Sequence, residues 1–217
     1  MDLVKITDFV KAQLKNEKTG HDFYHGQRVA HLASKLYLQD NADARSNSRM
    51  VAIIQAAGYL HDTIDEKVCA DPEAVLKQLT GLLAQVGFSE LEAKDILFTM
   101  QHMSFAKNIE HRYQLPLSGQ YVQDADRIES LGAIGIARAF TFGGAHGNVI
   151  YDPQIKPQKL VSHSQYRKHT ETTINHFDEK LFQLEDLMNT VGGTKLAHER
   201  TEFMRAFVAE FKHEWEV

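Results

Sequence analysis

The sequence is short of cysteine and of long apolar runs, and each shortage excludes a class of protein. Cys69 is the single cysteine, so no disulfide can form within the chain and a reducing compartment is favoured. The N-terminal segment mixes charge into every turn, unlike a signal peptide, and no later stretch has the length of a membrane span. We therefore expect a cytoplasmic protein that does not use a membrane.

Acidic residues outnumber basic ones, which gives a formal net charge of -5 at pH 7. This balance disfavours attraction to a nucleic acid polymer or a lipid surface, but a local basic pocket can still hold a small phosphorylated compound. The apolar fraction of 43% and the charged fraction of 24% are ordinary for a folded globular protein. Histidine is in surplus, with 12 residues, and imidazole is the commonest metal ligand. The composition therefore suggests a metal site.

The four prolines and 13 glycines are few for 217 residues, and the apolar residues recur at helical spacing. The sequence therefore predicts an all-α fold. Several helix starts carry capping signals: Asp22, the Asp71-Pro72 pair, and Ser89 with Glu92 as a capping box. The predicted helical segments are 2–16, 22–36, 48–60, 72–86, 89–102, 119–139, 163–190 and 195–215.

Two glycine-containing stretches predict breaks in this helical pattern. Residues 141–159 hold three glycines and two prolines, which favours a long irregular loop of the kind that often serves function. Gly192-Gly193 is expected to separate the last two helices. An aromatic stripe on the final helix is expected to be buried core: Phe203, Phe207, Phe211 and Trp215.

Two histidines and two aspartates on three separate predicted helices form the strongest candidate site: His25, His61, Asp62 and Asp126. Imidazole and carboxylate ligands together suit a divalent ion such as Mn²⁺, Fe²⁺, Mg²⁺, Ni²⁺ or Zn²⁺, and the lack of nearby cysteine argues against a closed thiolate zinc site. Four protein ligands leave positions on a six-coordinate ion for water and a phosphate oxygen. The pattern therefore favours a catalytic metal site.

A His-Asp pair occurs twice in the sequence, and only its context separates the two copies. His61-Asp62 ends an apolar helix, where a carboxylate beside the negative end of the helix dipole is unfavourable unless a cation is bound. His21-Asp22 stands at a helix start, where a capping role for Asp22 is a sufficient explanation. We interpret only the first pair as metal ligands.

Three segments resemble the signature motifs of the HD superfamily of metal-dependent phosphohydrolases: HGQRVAHLA at 25–33, LHDTIDEK at 60–67 and QDADRIESLGAIGIARAF at 123–140. The resemblance covers roughly residues 20–140. With the loop at 142–153 and the C-terminal helices, the chain is similar to the small bacterial YpgQ/YedJ-like subgroup.

This resemblance implies a compact multi-helix HD-domain bundle that forms one unit over residues 1–217, with residues 141–217 as additional C-terminal elements that complete or cover the site. It implies one divalent ion, with manganese favoured over magnesium, iron, nickel or zinc. The ligands implied by the matching positions are His25, His61, Asp62 and Asp126.

An acidic pair follows the second motif and is predicted to be catalytic. Related hydrolases of guanosine polyphosphates carry a Glu-Asp pair here that positions the attacking water, whereas this chain has Asp65-Glu66. Either carboxylate could accept the proton of the water, so the identity of the base stays open. Asp124 and Arg127, which flank the last ligand motif, are expected to be structural.

Basic residues and histidines near the motifs are predicted to contact the substrate. Arg28 follows His25 by one helical turn, so its guanidinium could reach a phosphate or a ligand carboxylate. His102 ends an apolar helix at a position that, by the resemblance, lies beside the metal. The full predicted substrate-binding set is Arg28, Lys67, His102, Lys107 and His111.

Together these features predict hydrolysis of a phosphoester or phosphoanhydride bond in a small nucleotide, by a monomer or homodimer. The subgroup resemblance implies nucleoside or deoxynucleoside triphosphates as substrates, with release of pyrophosphate. Two alternatives stay open. An HD-type di-iron oxygenase would need further imidazole ligands, which His102 and His111 could supply. A non-catalytic nucleotide sensor would keep the site without turnover.

Overall fold

The computed structural model is all-helical, and the residues that it describes contain no β-strand. The described residues are 2–17, 20–42, 47–65, 68–159, 162, 165 and 172–216. The predicted all-α fold is confirmed. Within these ranges, no helix combines the length and the apolar character needed to cross a bilayer.

The α-helices are numbered in chain order. They are α1 (Leu3–Gln13), α2 (Phe23–Asp40), α3 (Ser48–Leu60), α4 (Pro72–Gln85), α5 (Glu90–His102), α6 (Leu117–Glu129), α7 (Gly132–His146), α8 (Asn175–Glu179) and α9 (Val191–Trp215). Short 3₁₀ turns lie at His61–Ile64, Ala106–Asn108, Leu181–Gln183 and Glu185–Leu187.

The centre of the fold is a group of three helices, α2, α3 and α6, each of which packs against the other two. Helix α5 packs on α3 and α6, while α9 packs on α2, α6 and α7. Val29, Ile54 and Ile128 are fully buried between these helices. Burial of each such side chain contributes about 1.5–3 kcal/mol. Two of these helices, α2 and α6, carry the predicted ligands His25 and Asp126, and the other two ligands directly follow α3.

Helices α2 and α3 approach so closely that their backbones touch. A Cβ atom added to Gly58 would lie 2.6 Å from the Cα atom of Ala30 and 2.9 Å from its nitrogen. Only glycine fits at such a contact without moving one helix. This contact fixes the distance between α2 and α3, and it lies less than one turn before the end of α3.

The capping signals read from the sequence are confirmed. The Asp22 side chain accepts a hydrogen bond from the backbone N–H of His25 at 2.9 Å, and Asp71 caps α4 in the same way. Ser89 and Glu92 form the reciprocal capping box at the start of α5. Each cap satisfies backbone donors that have no partner inside the helix.

The predicted helix over 119–139 is wrong, because the chain breaks between α6 and α7. Gly132 begins α7 with a φ of +71°, a left-handed conformation that glycine adopts without strain. The predicted loop over 141–159 is also wrong at its start, since α7 continues to His146 and ends at Gly147. Gly143 lies inside this helix at a close contact with Thr173, since a Cβ atom at this position would lie 2.3 Å from the Thr173 hydroxyl oxygen. Its role is close packing.

The C-terminal helices also differ from the prediction. In place of a long helix over 163–190, the described residues form the short helix α8 and two 3₁₀ turns, and most of 163–171 lies outside the described residues. Gly192-Gly193 does not separate helices but lies in the first turn of α9, where the Thr190 hydroxyl accepts a hydrogen bond from the Gly193 N–H.

The aromatic stripe on α9 is only partly buried. Phe203 is 54% exposed and Trp215 is 48% exposed, while Phe207 and Phe211 are half-buried. The face of α9 that enters the core carries smaller residues, which are Ala197, Thr201, Met204 and Val208. The stripe lies beside that face, so the prediction that it forms core is wrong at both ends.

Candidate metal centre and adjoining cleft

Two buried histidine rings meet where α2 begins and α3 ends. His25 lies in the first turn of α2, held by the Asp22 cap, and is fully buried. His61 follows the last residue of α3 and is 5% exposed. Their ring centroids lie 5.1 Å apart. The Nδ1 atom of His61 donates to the Gly58 carbonyl oxygen at 2.8 Å, which turns its Nε2 atom towards His25 and the carboxylates.

Two carboxylates complete the cluster. Asp62, in the 3₁₀ turn after α3, places Oδ2 at 3.2 Å from the Nε2 atom of His61 and 3.5 Å from that of His25. Asp126, on α6, places Oδ1 at 3.2 Å from the Nε2 atom of His25 and 3.7 Å from that of His61. The structure thus brings together all four side chains predicted as ligands.

The Nε2 atoms of His25 and His61 are buried and make no hydrogen bond of acceptable geometry within the described chain. An unsatisfied buried polar atom costs about 1–3 kcal/mol, so native proteins rarely leave two side by side. A divalent cation would satisfy both nitrogens and neutralise the two carboxylates. The donor set therefore fits a divalent metal ion.

The electrostatics of the cluster also favour a cation. Burial lowers the pKa of His61, but Asp62 and Asp126 outweigh it and raise the pKa well above its ordinary value. Burial raises the pKa of each aspartate, yet the histidines hold both values well below the usual range. The carboxylates therefore stay ionised at neutral pH, and the metal-free cluster attracts a proton instead.

His21 joins the cluster, although the sequence interpretation excluded it. Its Nδ1 atom lies 2.9 Å from Oδ2 of Asp62, and its ring is half-buried at the edge of the cluster. The capping role predicted for Asp22 is correct but does not exclude a role for the residue before it. Because His21 precedes the Asp22 cap and lies outside α2, helical spacing could not place its ring, and the repeated His-Asp pair was the sequence signal that it could join the site.

The cluster opens into a cleft of about 140 Å³. Asp65 lines it, placed there by the 3₁₀ turn that its own N–H closes with a hydrogen bond to the Asp62 carbonyl at 3.0 Å. The predicted residues Glu66 and Lys67 lie outside the described residues. Four basic side chains also line the cleft: Lys107, Arg127, Arg138 and Lys180. The cleft therefore places basic side chains beside the carboxylates of Asp62, Asp65 and Asp126.

No family model matches the sequence. The chain is 32% identical over 209 residues to the YpgQ protein of Bacillus subtilis (strain 168), a match that covers 96% of this chain and 91% of that protein. An HD-superfamily hydrolase from Bacillus thuringiensis has a similar structure, with a TM-score of 0.72 and 35% identity over 99% of this chain and 97% of that one. The chain belongs to the HD superfamily.

Two further solved structures are similar to this HD protein, and one of them is of YpgQ itself. A protein from Lactobacillus plantarum gives a TM-score of 0.83 at 39% identity, over 99% of this chain and 96% of that one. The crystal structure of Bacillus subtilis YpgQ in complex with ADP gives a TM-score of 0.72 at 31% identity, over 96% and 97%. The resemblance read from the three sequence motifs is confirmed.

In this HD protein, three residues predicted to contact substrate do not line the cleft. The Nε atom of Arg28 instead donates to the Glu129 carboxylate at 2.6 Å. His102 donates from Nδ1 to the Phe98 carbonyl, and exposed His111 packs edge-on against Tyr113. Contact of these three residues with a substrate stays a prediction. Lys107 does line the cleft, with Nζ donating to the Gln101 carbonyl.

Asp124 and Arg127, two residues before and one residue after Asp126, both make hydrogen bonds to the segment before α9. Asp124 accepts hydrogen bonds from the backbone N–H groups of Asn189 and Thr190, and so fixes the start of α9. Arg127 donates to the Leu187 carbonyl, and burial lowers its pKa to about 10. Arg127 also lines the cleft, which sequence reasoning did not anticipate.

Proposed function

We propose that this HD protein is a metal-dependent phosphohydrolase that cleaves nucleoside or deoxynucleoside triphosphates and releases pyrophosphate. The observation that carries the proposal is the convergence of two unsatisfied imidazole nitrogens and two carboxylates beside a cleft lined with basic side chains. The HD-superfamily hydrolase among the similar structures supports hydrolysis, and the ADP complex of YpgQ supports a nucleotide ligand.

His25, His61, Asp62 and Asp126 would hold the ion. Their mixed nitrogen and oxygen donors suit several divalent ions, of which we propose Mn²⁺. A bound divalent ion supplies Lewis acidity, which polarises a phosphoryl oxygen and lowers the pKa of a water molecule. His61 is kept in position for this role by the hydrogen bond from its Nδ1 atom to Gly58.

Asp65 would orient the attacking water, together with Glu66, which follows it in sequence. Attack of the water oxygen on the α-phosphorus forms one P–O bond. The bond between the α-phosphorus and the oxygen that bridges to the β-phosphorus breaks, so that pyrophosphate leaves. The proton of the water passes to a carboxylate oxygen of this acidic pair. The position of Asp65 on the cleft wall, three residues after a ligand, suits this task.

The basic side chains around the cleft would bind the phosphate chain. Lys107, Arg127, Arg138 and Lys180 approach it from different parts of the fold. Their charges would offset the negative charge of a triphosphate and the charge that develops on the leaving pyrophosphate.

The test is a panel of nucleotides incubated with the purified chain and Mn²⁺, with phosphate and pyrophosphate measured separately. We expect pyrophosphate from triphosphates, and we expect His61→Ala to lower the rate on the order of 100-fold or more while helicity is retained. His198→Ala, at an exposed histidine paired with Glu185, is the matched control and should keep full activity. Full turnover by His61→Ala would refute the proposal.

The two alternatives gain no specific support. The oxygenase interpretation relied on His102 and His111, and neither lies at the cluster. The two candidate ligand groups in the described chain share His25, which favours a single ion. A nucleotide sensor would bind nucleotide in the panel above without forming product.

A further inference from the structure

The two histidine ligands differ in what lies behind their rings. The Nδ1 atom of His61 donates to a backbone carbonyl at 2.8 Å. The Nδ1 atom of His25 is buried and has no hydrogen-bond partner within the described residues. The Oε2 atom of Glu129 lies 3.8 Å from it.

A metal ion on the Nε2 atom of His25 would determine the state of this second nitrogen. A neutral imidazole that binds a cation through Nε2 carries its proton on Nδ1. Because the His25 ring is fully buried, water cannot accept that N–H. Glu129, which is 2% exposed, is the carboxylate placed to accept it after a small movement.

The Glu129 carboxylate is held from two sides. The Nε atom of Arg28, on α2, donates to its Oε2 atom at 2.6 Å. The Nη1 atom of Arg200, on α9, lies 3.9 Å from its Oε1 atom. Because Glu129 is on α6, three helices converge on one buried carboxylate, and α9 reaches the metal centre through it.

From this geometry we infer that Glu129 is a positioning residue. Its carboxylate accepts a hydrogen bond from the Nδ1–H group of His25 and so strengthens metal binding. The inference rests on the metal-dependent function proposed above. Arg28 and Arg200 orient the carboxylate, which explains why Arg28 is turned away from the cleft. A carboxylate behind a ligand histidine fixes the ring and makes its coordinating nitrogen more basic.

The test is Mn²⁺ binding to the whole chain without substrate, measured from the electron paramagnetic resonance signal of free Mn²⁺. Glu129→Gln keeps the size of the side chain and removes its charge. We expect its dissociation constant for Mn²⁺ to rise about 10-fold or more. The double variant Arg28→Met with Glu129→Gln removes the cation that the single change leaves unpaired. It should restore much of the unfolding temperature of the metal-free protein but not the affinity for Mn²⁺.

Asp40→Asn is the matched control for a loosened joint between α2 and α9. The Asp40 carboxylate accepts a hydrogen bond from the Gly192 N–H at 3.0 Å, and Asp40 lies about 22 Å along α2 from His25, at a rise of about 1.5 Å per residue. This variant should lower the unfolding temperature and leave the affinity for Mn²⁺ unchanged.

Three results would overturn the inference. Mn²⁺ affinity equal to wild type in Glu129→Gln would show that the carboxylate does not act on His25, while the proposed function stands. Recovery of both stability and affinity in the double variant would reduce Glu129 to a structural role. No binding of Mn²⁺ or another divalent ion by the wild-type chain would remove the proposed function as well.

Discussion

Lys180 lines the cleft from the C-terminal part of the chain, far in sequence from the ligand motifs. Its Nζ atom lies 5.3 Å from the ring centroid of Phe105, which lines the same cleft. A cation over an aromatic face is held in place and keeps its charge. Lys180 is therefore well placed to meet a phosphate group.

We expect Lys180→Gln to raise KM for a nucleoside triphosphate about 10-fold, because a charge-assisted contact to phosphate contributes roughly 1.5 kcal/mol. The effect on kcat should be smaller if the contact forms equally in the ground and transition states. Steady-state kinetics of the wild-type chain and of Lys180→Gln measures both constants. Lys195→Gln, at an exposed position on α9, should leave both constants unchanged. An unaltered KM in Lys180→Gln would exclude the contact.

At the residue scale, the sequence predicted those site residues whose positions are fixed by residues close to them in the chain. The Asp22 cap sets His25 in place, and the end of an apolar helix sets His61. Arg138 and Lys180 reach the site only through the packing of elements that are distant in sequence from the second motif. No local pattern distinguishes them from other charged residues, so the sequence alone could not assign them.

At the scale of elements, one surface contact joins α3 to the start of α5. Arg49 makes two hydrogen bonds to Glu92, which also completes the capping box with Ser89. The Arg49 hydrogen bond outweighs the effect of burial and lowers the pKa of Glu92 from 4.5 to about 2. The contact therefore depends on the ionised carboxylate.

The pKa of Glu92 is lower in the folded chain than in the unfolded chain, so its contribution is complete above pH 4.5 and is lost as the pH falls towards 2. We expect Glu92→Gln to lower the free energy of unfolding by about 1 kcal/mol or less at pH 7, because solvent screens an exposed pair. Urea unfolding at several pH values measures the difference from wild type, which should shrink below pH 4.5. A constant difference down to pH 2 would contradict the assignment.

The helix starts were predictable because caps are short-range patterns of hydrogen-bonding side chains. The helix breaks were not. Gly143 and Gly192 lie inside helices because another segment packs against their backbone, as shown by a distance of 2.8 Å from a Cβ atom at Gly192 to the Asp40 carboxylate. A glycine required for packing and a glycine required for a turn look alike in a sequence.

At the scale of the whole molecule, the metal centre would join the three central helices. His25 belongs to α2, Asp126 to α6, and His61 with Asp62 to the 3₁₀ turn that follows α3. Because the unfolded chain does not hold these ligands together, a bound ion stabilises the folded state alone. Metal binding and global stability should therefore be coupled.

We expect Mn²⁺ at about 100 times its dissociation constant to stabilise the fold by about 2.7 kcal/mol and to raise Tm by roughly 5–10 °C relative to the protein in EDTA. Differential scanning calorimetry measures the shift. Asp126→Asn, which removes a ligand charge and keeps the side-chain shape, should lose most of it. An identical Tm with and without the ion in the wild-type chain would mean that the four side chains share no cation.

The backbone contact between Gly58 and Ala30 lies one helical turn before His61 and little more than one turn after His25. A side chain added at Gly58 would meet the main chain of Ala30, which cannot rotate away as a side chain can. We therefore expect a substitution at this glycine to displace one helix relative to the other and to disturb the pair of imidazole rings, although the glycine itself touches neither ring.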